Sequence, residues 1–285
     1  MSTIQSHQTI AFPMKSVADA KAIADQLPPL MADFAKAQDA IGSVHYSRFL
    51  AWGDKSLLFL ADVDGDVEQL YGDLAKSAGT VFDTIFKHVG DPPPTPVANN
   101  SDAFTQWMKH HDNHAVIGYE ALRNSSVQDI KSCVRAAGFT GSSEQHPLLL
   151  PLPLKSSLGA FTLEHIVVEA TLGKVTKGAD AIGTLHFAHF VELPNNHLGF
   201  FTVYDGNFDR YMQDFTEKIG PIFDVLYRFV TDHPPIPVAQ NAEAFAKYTA
   251  ANNYPPIGFY RAYPGVAVQD IRALLADAKA DAAHR

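Results

Sequence analysis

The sequence predicts an α+β protein built from two tandem copies of one unit, each with an antiparallel sheet and helices. Three observations predict it. The stretch IGSVHYSRFLAW beginning at Ile41 returns as IGTLHFAHFVEL beginning at Ile182. A shift of 141 places aligns 41–110 with 182–251 without a gap, giving 22 identities in 70 positions, and beyond it VQDI at 127–130 meets VQDI at 268–271. Within each copy the periodicity changes from two to 3.6 in the same order, the mark of one supersecondary unit used twice.

The elements follow in order. QTIAFPM reads as an opening strand, and VADAKAIADQLPPLMADFAKAQDA as a helix broken at Pro28-Pro29. IGSVHYSRFLAW alternates and is rich in β-branched and aromatic residues, GDK turns the chain, and SLLFLADV returns as a second strand. Asp64-Gly65-Asp66 ends that strand and offers a helix cap. Leu70, Tyr71, Leu74, Ala78, Val81, Phe82 and Ile85 then recur at helical spacing, as do Tyr211, Met212, Phe215, Ile219, Ile222, Phe223 and Leu226. DPPPTPVANN and DHPPIPVAQN cannot continue a helix and read as extended surface segments, each followed by a short helix. HAVIGYEALR and PPIGFYRAY read as further strands, and each VQDI opens a closing helix. In copy two FTLEHIVVEA reads as the opening strand, but only TLGKVTKGADA precedes the hairpin, so its first helix is expected to be shortened. The expected domains are 1–140, an apolar, proline-rich linker at 141–160, and 161–285.

Strand, helix, hairpin, helix, strand is the ferredoxin-like βαββαβ order. Such a sheet carries helices on one face only, so two of them are expected to pack face to face. In this order of elements, over about residues 8–275, the chain resembles the dimeric α+β barrel superfamily in its tandem form. That superfamily includes chlorite dismutases and dye-decolourising peroxidases, both haem proteins, and single-unit cofactor-free monooxygenases. The resemblance implies an oxidoreductase and a homo-oligomer.

Composition narrows the field. A net charge of -9 and a pI near 5.7 give nucleic acid and anionic membranes nothing to grip. No apolar run reaches the roughly 20 residues of a membrane span, and MSTIQSHQTIAFPMKS does not read as a signal peptide, so a cytoplasmic location is expected. The single cysteine, Cys133, reads as a small buried hydrophobe.

The candidate chemistry lies on the hairpins. Simple alternation puts Ile41, Ser43, His45, Ser47 and Phe49 on one face, a wall of small side chains around a histidine, and puts Tyr46 and Arg48 on the other. His186 and His189 fall on opposite faces of the second hairpin in the same way. His45 and His186 are candidates for an acid, a base or, with His186 first, a haem ligand, against the more ordinary alternative of a hydrogen-bonded core histidine. His189 is a second candidate for holding a cofactor, and Arg48 for polarising bound oxygen. ADVDGD and TVYDGN resemble the Gly-x-x-Asp-Gly signature of dye-decolourising peroxidases, which would make Asp64 and Asp205 catalytic, but Ala61 and Thr202 replace its first glycine. Turn and cap duty is the alternative for both aspartates. HHDNH at 110–114 has a zinc-compatible spacing but no recognisable third ligand, so no metal is expected. Gly79 and Gly220 recur inside the long helix and ask for a kink or a close neighbour.

The function expected is an oxidoreductase that binds haem or a small apolar or aromatic molecule, acting as a peroxidase or oxygenase. Cofactor-free oxygenation is a variant of this reading. The alternative is a ligand-binding or assembly protein whose barrel has no chemistry.

Overall fold

The computed structural model describes residues 5–155 and 176–283 and divides the chain into two compact units. The first runs to His114 and adds Arg123–Lys131 and Pro256–Tyr263; the second holds Ala115–Leu122, Ser132–Pro255 and the chain from Pro264. Each unit therefore takes its fourth strand from the other sequence copy.

The first unit begins with β1 (Gln5–Pro13) and α1 (Val17–Gln26), whose N-cap Ser16 accepts from the Asp19 amide. Pro28-Pro29 breaks the helix into a single 3-10 turn before α2 (Met31–Ile41). β2 (Val44–Trp52) and β3 (Ser56–Asp64) form the hairpin, and Asp66 caps α3 (Val67–Ser77), which breaks at Ala78 into α4 (Gly79–Phe86). α5 (Ser101–His110) and the start of α6 (Val127–Ala136) follow. The sheet order is β1-β3-β2-β8, all antiparallel, with β8 (Gly258–Arg261) arriving from the second sequence copy. Phe34 of α2 and Phe82 of α4 pack on Phe49 and Phe59, so the helices cover the face that carries these two rings. Burying each of these rings contributes about 1.5–3 kcal/mol.

The second unit repeats the plan in the order β4-β6-β7-β5. β4 (Ala115–Glu120) comes from the first sequence copy; β6 (Leu185–Leu193) and β7 (His197–Asp205) form the hairpin. α8 (Phe208–Leu226) runs unbroken through Gly220-Pro221, and α9 (Ala242–Asn252) and α10 (Val268–Ala283) complete the unit. Helical residues 176–182, here α7, occupy the place of the end of α2, and the chain before them, including the expected strand FTLEHIVVEA, lies outside the described residues.

The place of β1 is taken by β5 (Gln145–Pro153), a stretch that reads as linker because of its prolines. Leu149 shows why a strand is possible. Its amide donates to Asn253 Oδ1 and its carbonyl accepts from the Tyr254 amide, so its polar groups point away from β7. Pro147, Pro151 and Pro153 share that parity on an edge strand, where no ladder N–H is lost.

Gly79 and Gly220 face the 3-10 turns of the two proline segments, with Val97 and Ala98 or Val238 and Ala239 in contact range, so a close neighbour accounts for both glycines. Among the described residues, no helix is long and apolar enough to cross a membrane.

Candidate active site

In β2 the pairing passes from Val44–Val63 to Tyr46–Asp62, leaving His45 as an extra residue; in β6 it passes from Leu185–Tyr204 to Phe187–Val203, leaving His186. A bulge shifts the alternation by one. The simple face assignment is corrected accordingly: Ser47 bonds Gln38 of α2 and Phe49 packs on Phe34, both on the helix-covered side, while His45 turns toward Asp64 at the strand end.

His45 is enclosed, with Nε2 2.7 Å from Asp64 Oδ1 and 3.2 Å from Gln5 Nε2, and Nδ1 2.9 Å from the Tyr263 hydroxyl. The other Asp64 oxygen accepts the Val127 amide at 2.7 Å, at the first residue of α6. Gln128 Nε2 donates to the Gly42 carbonyl at 2.9 Å. The second unit repeats the knot: His186 Nε2 to Asp205 Oδ1 at 2.7 Å, the Val268 amide to Asp205 Oδ2 at 2.8 Å, and Gln269 Nε2 to the Gly183 carbonyl at 2.8 Å. Gln145, like Gln5, stands beside its histidine and donates to the loop before the closing helix. Asp64 and Asp205 are thus helix-terminus anchors, but for the closing helices; the helices that immediately follow them are capped by Asp66 and Asn207.

Gly42, the left-handed C-cap of α2 at φ 74°, carries a testable share of this knot. A Cβ there would strike Gln128 Nε2, whereas one at Gly65, φ 79°, meets nothing within 4 Å. Gly42→Ala is expected to cost about 1–3 kcal/mol in urea unfolding, and more than Gly65→Ala, which adds backbone strain alone. Equal losses would remove the steric role given to Gln128.

A second cluster lies on the face of the first sheet opposite Phe49 and Phe59. His7 of β1 stands opposite Asp62 of β3 in register, its Nδ1–H donating to Asp62 Oδ1 at 2.7 Å. Arg48, diagonal to Asp62 on β2, is buried; desolvation pushes its guanidinium pKa down to about 10, partly offset by Asp62. The register equivalents in the second unit are Pro147, Val203 and His189, and His189 is buried against the Phe201 ring, 5.2 Å between centroids. One unit carries the cluster and the other folds without it.

Sequence reading passed over His7 and Asp62. The available signal was an acid inside the apolar run SLLFLADV and a histidine at the start of the opening strand; only strand register brings the two together. HHDNH does not form a helical pair, since α5 ends at His110, His111 stacks on Trp107, Asp112 receives the Thr9 amide, and His114 is exposed. Cys133 is a half-buried free thiol on α6.

Haem does not fit the His45 or His186 position. At His45 Nε2 is engaged by Asp64 and Nδ1 by the Tyr263 hydroxyl, at His186 Nε2 is engaged by Asp205, and each carboxylate partner also holds a helix terminus.

Fold and geometry define a tandem ferredoxin-like α+β protein with, among the described residues, a buried His–Asp–Arg cluster in its first unit. No family model matches the chain and no curated protein matches it significantly. Among solved structures it is similar to a "putative monooxygenase" of Fusobacterium nucleatum subsp. nucleatum ATCC 25586, with TM-score 0.41 and 8% identity, over 94% of this chain and 98% of that one. A "putative monooxygenase" of Lactobacillus acidophilus NCFM gives TM-score 0.33 and 8% identity over 92% and 98% of the two chains. An anthrone oxidase-like protein gives 0.33 and 9% over 92% and 95%. At these values the activities in those descriptions are not carried over to this chain.

Proposed function

We propose that the protein is a cofactor-independent oxygenase acting on a small apolar molecule with an activated C–H bond, with His7 as base. The observation that supports this is the buried His7–Asp62 pair beside Arg48, present in one unit and replaced by Pro147, Val203 and His189 in the other. A buried charged cluster is weak evidence for stability, and the second unit builds the same sheet without it. The oxygenation half of the reading rests on analogy with the cofactor-free monooxygenases of the resembled superfamily. Haem is not part of the proposal, given the enclosed histidines.

With Nδ1–H donated to Asp62, the proton-accepting nitrogen of His7 is Nε2, and the carboxylate stabilises the imidazolium that forms. A methylene flanked by aromatic rings or carbonyls gives up a proton to Nε2, and the Arg48 cation stabilises the resulting carbanion. The carbanion passes one electron to dioxygen, and the radical and superoxide combine into a peroxide anion. The imidazolium returns its proton to the distal oxygen. Loss of the remaining C–H proton with cleavage of the O–O bond releases water, so one methylene and one dioxygen give one ketone carbonyl and one water.

The test is oxygen uptake by the purified protein with a ketone whose CH2 lies between two aromatic rings. Uptake matched by formation of the new carbonyl supports the reading; binding without uptake would favour the non-catalytic alternative. Arg48→Met is expected to lower kcat about 10²–10³-fold, the usual cost of removing one preorganised anion-stabilising group. A kcat within about threefold of wild type would take Arg48 out of the mechanism, since even one lost donor ordinarily costs far more.

A further inference from the structure

The same place in the two units, between the fourth strand, the first hairpin strand and the helix before it, holds two cavities whose walls differ by a polar pair. In the first unit a cavity of about 30 Å3 is bordered by Gln38, Ser47 and Gly258, and the Ser47 hydroxyl bonds the Gln38 side chain beside it. In the second, Gln38 and Ser47 are replaced at the equivalent 141-residue shift by Ala179 and Ala188. The cavity there, about 20 Å3, is lined among the described residues mainly by apolar side chains, including Ile117, Ala179, Ala188, Phe190, Ile219 and Phe223, with Tyr119 also at its border. His189 borders it from β6, but its ring is stacked on Phe201, on the opposite side of the sheet from Phe190 and Phe200.

Roughly 10–15 Å3 of such space admits one water-sized molecule, yet water also needs two to four polar partners, and apolar cavities of this kind stay dry and take up xenon or hydrocarbons. We propose that the cavity of the second unit is a dry site for one apolar molecule of gas size, a class of occupant fixed by its size and wall. The Gln38–Ser47 pair has no counterpart in the second-unit cavity, which removes polar partners that a water would need. A larger ring does not fit without moving Phe190 or Phe223.

The test is xenon pressurisation of crystals of the full chain, with the anomalous signal locating the gas. Xenon is expected between Ala188 and Ile219 in wild type and absent in Ala188→Leu, which fills the space. Ala179→Gln/Ala188→Ser rebuilds the pair that the first unit already accommodates, and is expected to lose xenon while folding normally. Ordered water in the wild-type cavity, no xenon there, or xenon that persists in Ala188→Leu would overturn the site. If xenon binds but no substrate drives oxygen uptake, the gas site stands and the oxygenase reading falls.

Discussion

Asp64→Ala is expected to lower unfolding stability by about 3–5 kcal/mol, the cost of breaking a buried pair and leaving one partner uncompensated. The alanine takes the carboxylate away from His45 and the acceptor away from the Val127 amide, so a buried imidazole and a helix terminus lose one shared partner together. Asp205→Ala is expected to match it, since His186 and the Val268 amide stand in the same relation. Urea unfolding of both variants, with His45→Ala and His45→Ala/Asp64→Ala to close a double-mutant cycle, measures the effect. The two first-unit substitutions are expected to be non-additive by at least about 0.5 kcal/mol, because they remove one interaction between them. A loss below about 1 kcal/mol in both aspartate variants, less than an ordinary buried group left unpaired, would mean that the knot does not hold the closing helices.

His7→Ala is expected to cut turnover about 10²–10⁴-fold, the range for loss of a positioned general base, which is more than any lowering of the urea midpoint from leaving Asp62 buried beside Arg48 alone accounts for. The second unit gives the reason to expect a folded variant: a proline occupies the position of His7 and a valine that of Asp62, and the sheet still forms. Asp62→Asn tests the pair from its other side. An amide can still accept from Nδ1–H but cannot compensate the imidazolium, so the expected loss falls on kcat rather than on substrate binding. Unchanged rates in both variants, with oxygen uptake otherwise present, would move the base elsewhere. Rates that fall only together with the unfolding midpoint would reduce the cluster to a structural one.

The two expected results concern groups that the sequence treats differently. Ile41-Gly42, His45, Asp64-Gly65 and VQDI recur in the second copy, and the structure joins them in one knot: glycine carbonyl to glutamine, histidine to aspartate, aspartate to helix terminus. Their recurrence made the duplication legible, and it follows from a requirement that each copy meets in order to fold. His7, Arg48 and Asp62 have no such echo, so the internal comparison that reveals the fold is blind to them. The bulge at His45 was equally hidden, because alternation read along one strand cannot show where its partner slips by one residue.

The sequence by itself determined two copies of a hairpin-and-helix unit, the α+β class, the positions of most helices and the histidine at the head of each hairpin, because periodicity, caps and turn residues act over a few neighbours. Only the tertiary structure decided that each copy lends its last strand to the other sheet, that a proline-rich stretch serves as β5, and that His7 meets Asp62, 55 positions further along the chain. These depend on which backbone edge lies open and which residues fall in register, and such long-range pairings leave no period in the chain that forms them.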